Sequence, residues 1–431
     1  MKRLILPIIL LAAMSARAEV WSLDDCIAYA IEHNITVKQQ KVNTLAAEQG
    51  VTSAKSGYLP NVSANAGQSW TFGRGLNSEN IYVNRNNSTF NWGASASVPI
   101  FSGMRTTRQV DYAKANLSQV VEQYEAAKED ITINVITGYL QVLYCKEMHE
   151  LAQNQISLSQ YELSRQQALV DAGKIPEVDM LEAKSQLASD QLNATQTLND
   201  LVMARVDLIQ LLQLPLEAGQ FDVAPLTDEY LLLTPPDEVY AKALQYNHSI
   251  QAAKKGINTS DKNISLAKSG YLPSLSFNAG VGSSYYNVNG VKNDPFGDQM
   301  RHNFSSYLGF SINIPIFDGL NTRNSVKRAE IEKVNAQLSL DDAEQKLFRT
   351  IQQAYYQAVG SSAKLESSKV AEEAALKSLE AIQEKYNIGR AKPQEFEQAK
   401  LKAIRTTAER IQANYELILR SRLLAFYSEP H

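Results

Sequence analysis

The sequence predicts a mainly α-helical protein with a small amount of membrane-type β-structure, built twice in tandem. Three observations lead there. Residues 53–60 read SAKSGYLP and residues 266–273 read LAKSGYLP, seven identities in eight positions. Four segments alternate apolar and polar residues with a period of two. Two stretches of about 65 residues run without proline and with one glycine apiece, Gly138 and Gly360.

The chain has 431 residues, 44% hydrophobic and 20% charged, which fits neither a disordered tail nor a helical multi-span transporter. Beyond the N-terminal leader, no run approaches the ~20 consecutive apolar residues of a membrane-spanning helix. Only 13 prolines and 20 glycines punctuate the chain, so long elements are expected rather than many short ones. The leader itself has three parts. Lys2 and Arg3 precede the apolar run Leu4 to Met14, and Ala16-Arg17-Ala18 supplies a small-x-small site, which together predict a signal peptide over 1–18. Cys26 follows Ser22-Leu23-Asp24-Asp25, which is no lipobox. Without the leader, 39 basic residues stand against 46 acidic ones. That sign argues against nucleic acid as a partner, because affinity for it rests on Lys and Arg neutralising phosphates. Cys26 and Cys145 are too few for a disulfide framework and are expected to be free thiols.

The repeat extends well beyond its best-matched segment. Val98-Pro99-Ile100-Phe101-Ser102-Gly103 corresponds to Ile314-Pro315-Ile316-Phe317-Asp318-Gly319, and Gly173 and Ala183-Lys184 correspond to Gly389 and Ala399-Lys400. The expected organisation is a first repeat over 19–213, a linker over 214–235, a second repeat over 236–427 and a short tail over 428–431. Each repeat holds short helices, two strands and a helical hairpin.

Within the strands, Val62, Ala64, Ala66, Trp70 and Phe72 alternate with Ser63, Asn65, Gly67 and Ser69. Phe90, Trp92, Ala94, Ala96 and Val98 alternate with Asn91, Gly93 and Ser95. In the second repeat the same alternation sets Leu275, Phe277, Ala279 and Val281 against Asn278 and Gly280, and Leu308, Phe310 and Ile312 against Tyr307, Gly309 and Asn313. The polar sets are small, which suits a wet lumen, and the lengths suit tilted membrane strands. Gly73-Arg74-Gly75 and Asn86-Asn87 read as polar loops. Helices are expected over 35–57, 103–168 and 177–213, and over 319–386 and 394–427, with the long ones reaching roughly 100 Å. Val110, Leu117, Tyr124 and Ile131 fall at seven-residue steps that continue through Gly138 and Cys145, a coiled-coil period; Ala329, Ala336 and Ala343 repeat it in the second half. Each long helix turns at Gly173 or Gly389, with Pro176 or Pro393 expected in the first turn of the return helix.

Taken in order and twice over, the GYLP segments, the P-I-F-x-G segments and the hairpin turns Val170-Asp171-Ala172-Gly173 and Tyr386-Asn387-Ile388-Gly389 closely resemble the TolC family of outer-membrane efflux channels. The resemblance covers nearly the whole chain after the leader. It implies a homotrimer whose four strands per chain form a twelve-stranded β-barrel, continued by a long periplasmic α-helical coiled-coil barrel. It further implies a channel of a tripartite efflux or type I secretion system, in an outer membrane, docking a periplasmic adaptor (membrane fusion protein) and an inner-membrane RND or ABC transporter. Physical chemistry agrees on one point independently: four strands cannot satisfy their own edges in lipid, so these strands require oligomerisation. The alternatives are a soluble periplasmic coiled-coil structural protein and a periplasmic hydrolase. The first would expose Trp70, Phe72, Phe90 and Trp92 to water. The second lacks a motif, since His33, His149, His248, His302 and His431 show no metal spacing and neither a phosphate loop nor a nucleophile elbow occurs. No enzymatic activity, metal or cofactor is expected.

The resemblance also implies sites. In the family the tunnel closes near the hairpin tips through acidic residues and cross-hairpin hydrogen bonds, which by position map onto Asp179, Glu395 and Tyr386. Gln398 stands where a second acid is expected and Ala391 where a basic lock residue would be, so the ring is expected to be less charged. The alternative is that Asp179 and Glu395 are ordinary solvated helix residues. The tips, with Val170, Ala172, Gly173, Ile175, Tyr386, Ile388, Gly389 and Ala391, are the expected adaptor-docking surface. Trp70, Phe72, Phe90, Trp92, Phe277 and Phe310 are expected to face lipid, with Asn65, Asn91, Asn278 and Asn313 facing water.

Overall fold

The structure, a computed structural model, describes residues 19–76, 80–84, 86–215, 221–226 and 233–429. The expected signal peptide, parts of the linker and the last two residues of the tail lie outside the described residues. In chain order the first repeat gives β1 (Glu19–Trp21), α1 (Leu23–His33), α2 (Ile35–Ser56), β2 (Asn61–Thr71), β3 (Arg74–Leu76), β4 (Tyr82–Asn84), β5 (Asn87–Phe101), α3 (Arg105–Asp171) and α4 (Glu177–Leu212). The second begins after β6 (Phe221–Val223) and gives α5 (Pro236–Tyr246), α6 (His248–Lys268), β7 (Ser274–Val288), α7 (Phe296–His302), β8 (Ser305–Asn313), α8 (Asn321–Asn387) and α9 (Pro393–Ser428). The duplication is metrical as well as sequential: α3 and α8 each have 67 residues, and α4 and α9 each have 36.

Two compact units cut across the repeats, each drawing segments from both. One comprises residues 42–122 and 252–341, the other the remainder. The first unit holds an antiparallel sheet in the order β2-β5-β7-β8. Its register sets Ala64 opposite Ala94, Ala94 opposite Val281, Val98 opposite Phe277 and Phe277 opposite Phe310. Directly paired residues share a face, so the apolar sets of all four strands form one surface, and Asn65, Gly93, Gly282 and their neighbours form the other. Apolar side chains stand in the open there: Leu308 is 77% exposed and Phe310 72%.

Strand gives way to helix through a joint used twice. Gly103 and Met104 both take left-handed backbone, at φ 62° and 63°, as do Gly319 and Leu320, at 66° and 67°. Ser102 Oγ then accepts the Thr106 N–H at 3.2 Å, and Asp318 Oδ2 accepts the Thr322 N–H at 2.8 Å, which caps α3 and α8. A methyl group at Gly103 would lie 2.9 Å from Leu272 Cβ, so the glycine serves a close approach as well as its dihedral.

In the other unit α1, the middle of α3 and the end of α4 bury Cys26, Val135, Tyr139, Val142, Leu208 and Leu212 together with Phe221 and Val223. The sequence reading had no strands here. β1 and β6 pair in parallel, and the Tyr139 hydroxyl reaches the carbonyls of Trp21 at 3.1 Å and Ala224 at 2.7 Å. Asp222 on β6 joins Lys146 of α3 at 2.7 Å to Arg205 of α4 at 3.0 Å, and those cations hold its carboxyl low. Cys26 and Cys145 are free and buried, and burial pushes the Cys26 thiol up to about 12.

Three local expectations change. Residues 74–76 belong to a short hairpin with 82–84, and Asn87 opens β5 rather than a loop. Pro393 does occupy the first turn of α9, but Pro176 is the N-cap of α4: the two turns are equally long, and the proline stands one position earlier relative to Gly173 than Pro393 does relative to Gly389, where Lys392 is the N-cap. The loop between β7 and β8 forms α7, which folds onto the apolar face. Phe296 packs against Phe90 at 5.9 Å and Tyr285 at 5.1 Å, and Ser283 is buried with its hydroxyl donating to the Met300 carbonyl.

Candidate functional site: the hairpin tips

Both tips close with the same hydrogen bonds. Gly173 N–H donates to Val170 O at 2.8 Å and Lys174 N–H to Leu169 O at 2.9 Å; Gly389 N–H donates to Tyr386 O at 3.0 Å and Arg390 N–H to Lys385 O at 2.7 Å. The glycines take φ of 66° and 74°, the left-handed helix stop that glycine reaches at least cost. Outside this backbone frame the tips differ. Val170 and Tyr386 hold equivalent positions, yet Val170 is half-buried and Tyr386 is 6% exposed.

The burial of Tyr386 follows from the periodicity of α8. Leu347, Ile351, Ala354, Ala358, Ser361, Leu365, Ser368 and Ala375 are buried at alternating steps of four and three, with half-buried Glu372, Leu379 and Ile382 filling the remaining steps, and Tyr386 is the next term. A coiled-coil seam made largely of small residues thus ends in a large phenol. On α3 the seven-residue ladder continues past Cys145 through Ala152 to Ser159 and Gln166, all buried. There the seam turns polar.

Tyr386 meets that polar segment. Its hydroxyl donates to Glu162 Oε1 at 2.5 Å and accepts from Gln166 Nε2 at 2.5 Å. Arg165 donates to the Tyr386 carbonyl at 2.9 Å, and its guanidinium lies 4.1 Å from the ring centroid. Phe396 of α9 stacks on the other side at 4.9 Å and 5°. Burial and the Glu162 carboxylate push the phenol up, so it is neutral and remains a donor at every physiological pH. A cavity of about 210 Å³ opens beside this cluster, lined by Glu162, Asp179, Glu182, Tyr386, Phe396, Glu397 and Lys400.

The expected constriction residues separate here. Asp179 is half-buried and lines the cavity with Tyr386. Glu395 is exposed, does not line it, and accepts the Lys392 N–H at 3.4 Å across its own helix start. Both are the third residue of a return helix, where an acid also complements the helix N-terminus. Glu162, Arg165 and Gln166 escaped the sequence reading, although their spacing of three and four puts them on one helical face. Of the expected docking residues, Ala172, Gly173, Gly389 and Ile388 are exposed, Val170, Ile175 and Ala391 are half-buried, and Tyr386 belongs to the network. Among the barrel set, Trp70, Phe72, Trp92 and Phe310 are exposed, whereas Phe277 is half-buried against Phe310 and Phe90 against Phe296.

Outer membrane protein TolC of Vibrio cholerae is 24% identical over 404 residues, covering 90% of this chain and 86% of its own. Outer membrane efflux protein BepC of Brucella suis is 20% identical over 403 residues, covering 93% and 83%. In fold, the chain is similar to the Campylobacter jejuni CmeC outer membrane channel (TM-score 0.79, 16% identity, 94% of this chain and 85% of that one) and to the open state of the Neisseria gonorrhoeae MtrE outer membrane channel (TM-score 0.74, 18% identity, 94% and 88%). Residues 26–213 and 239–427 each match the family described as outer membrane efflux protein, once per repeat. By its duplicated sequence, its fold and that match, the chain belongs to the outer membrane efflux protein family.

Proposed function

We propose that three copies of this chain close a twelve-stranded barrel in the outer membrane and continue as a helical tunnel that serves as the exit of a tripartite efflux or type I secretion system. One observation carries the reading: a four-stranded sheet with one apolar face and edge strands β2 and β8. In lipid such edges must be paired, since each unsatisfied backbone group costs several kcal/mol. The strand count is even, so β8 runs opposite to β2 and a neighbouring copy continues the antiparallel alternation. Two copies would make eight strands, whose interior side chains fill. Three leave a passage.

In this assembly Trp70, Phe72, Trp92, Phe277 and Phe310 face lipid, and Phe90 meets it through the covering α7. The Tyr386–Glu162 cluster and Asp179 hold the tunnel narrow at the tips, and three copies of exposed Glu395 about the axis favour cations. Ala172, Gly173, Gly389 and Ala391 leave room for an adaptor hairpin to approach, with Val170, Ile175 and Ile388 as apolar contacts. The adaptor in turn links to an inner-membrane RND or ABC transporter, which chooses the cargo. The test is heat-modifiable migration of protein extracted from outer-membrane fractions, with native mass measured in detergent. A heat-sensitive trimer supports the reading. A soluble monomer at the same concentration overturns it.

A further inference from the structure

Lys184 and Lys400 are the same residue at the same position of the two repeats, each following an alanine. Their surroundings are opposite. Lys184 is exposed on α4, whereas Lys400 on α9 is 1% exposed. The buried ammonium lies 2.9 Å from Ser159 Oγ, 3.2 Å from Glu397 Oε1 and 3.8 Å from Asp190 Oδ2. Ser159 donates onward to Asp190 Oδ2 at 2.5 Å, and Asp190, itself buried, also accepts from Gln155 of α3 and Gln186 of α4. One cation of the second hairpin is therefore fixed to both helices of the first.

Such a site is a poor way to gain stability. Removing two charges from water carries a desolvation penalty that their attraction barely repays, and well-packed apolar residues often do as well; a buried ion pair is best suited to fixing register. The first hairpin shows that the fold does not need it: the position equivalent to Ser159 is Ala375, the one equivalent to Asp190 is Thr406, and Lys184 points to solvent. The polar set is present once and sits one turn of α3 from Glu162.

We infer that Lys400 is a positioning residue of the gate, a bolt that fixes α9 against α3 and α4 so that Tyr386 of the same hairpin meets Glu162. This rests on the reading of the tips as the closure of a channel. Arg410, farther along α9, makes a comparable tie to Glu147 of α3 at 3.2 Å and Glu372 of α8 at 2.8 Å, but at a half-exposed site. Lys400 is the buried one beside the cavity.

The experiment is single-channel conductance in planar bilayers for the full-length oligomer and for Lys400→Met, Lys400→Gln, Lys184→Met and Tyr386→Phe. Heat-modifiable migration scores assembly in parallel. The expected result is a severalfold rise in conductance for both Lys400 variants and no change for Lys184→Met, with assembly intact throughout. Wild-type conductance in assembled Lys400→Met, alongside a rise in Tyr386→Phe, overturns the bolt and leaves the gate standing. No rise in either overturns both. If neither Lys400 variant assembles, the residue serves folding and the inference is likewise overturned.

Discussion

Tyr386, at the end of α8, donates its hydroxyl to Glu162 of α3 at 2.5 Å, across 224 positions of sequence. The equivalent of Tyr386 in the first hairpin is Val170, which has nothing to donate. Duplication thus supplied two hairpins with the same backbone turn, and substitution gave one of them a polar contact to its neighbour.

The register of the sheet makes a chemical prediction. With Cys26 and Cys145 buried and inert as background, cysteines placed at Asn65, Asn91 and Asn278 are expected to react with a membrane-impermeant thiol reagent in assembled protein. Cysteines at Ala64, Val281 and Phe310 are expected to be protected by lipid. The reverse pattern would mean that the two faces are exchanged, which a one-residue slip accomplishes.

Glycine substitutions should separate the joint from the helix interior. Gly103→Ala meets Leu272 at 2.9 Å and Gly270→Ala meets Thr322 Oγ1 at 2.7 Å, and Gly103 also holds φ at 62°. A left-handed backbone alone costs a side-chain-bearing residue ~1–3 kcal/mol, so Gly103→Ala should lower the melting temperature and the yield of heat-modifiable oligomer. Gly360, inside α8 with nothing within 4 Å of its added Cβ, should instead gain roughly 0.5–1 kcal/mol as alanine.

Glu129 gives stability a pH dependence. Its carboxylate accepts from Asn247 Nδ2 at 3.0 Å and from the His248 N–H at 3.3 Å, at the start of α6. Burial is the main cause that raises it to about 7; the His248 N–H bond and the His248 ring oppose the rise, and Asp130 and Glu125 add to it. The folded chain therefore keeps a proton that the unfolded chain releases from about 4.5 upward. Stability should fall as pH rises from about 4.5 to about 7 and then level off, by ~1–2 kcal/mol for a partly exposed group. Melting curves of detergent-solubilised protein between pH 5 and 8 check this against Glu129→Gln, which should lack that slope.

Much of the fold is legible because its elements are long and periodic. A run of 67 residues without proline leaves little room for error, and period-two alternation names a strand even where membrane and water exchange their usual sides. The elements that were not legible are short. β1 and β6 are three residues each and depend on the pairing of Glu19 with Phe221, far apart in sequence, and on the burial of Phe221 and Val223 with residues of α1 and α3. α7 is an irregular loop in sequence, folded by the unpaired edge of β7: Gln299 accepts the Tyr286 N–H at 3.0 Å and donates to its carbonyl at 3.1 Å. At the site, Tyr386 and Asp179 could be found by counting from the turn glycines. The partner of Tyr386, Glu162, could not, because nothing in one chain's sequence marks which of many helix acids meets a distant phenol.

Docking at the tips is tested by bulk. Ala172→Trp and Ala391→Trp spare the turn glycines and should leave oligomer assembly unchanged while abolishing site-specific cross-linking to the adaptor and export in cells. Normal cross-linking yield with either variant would place the docking surface elsewhere.

The central claim is that these helices form a channel closed at its tips by contacts between hairpins, and the most direct measurement is the single-channel conductance of Tyr386→Phe against wild type. The substitution keeps the ring, its stack on Phe396 and its place over Arg165, and removes only the hydroxyl that Glu162 accepts. The account predicts a small wild-type conductance and a severalfold larger one in the variant, from oligomers of equal heat stability. Equal conductances from equally assembled proteins, or no ion passage from either, would contradict it.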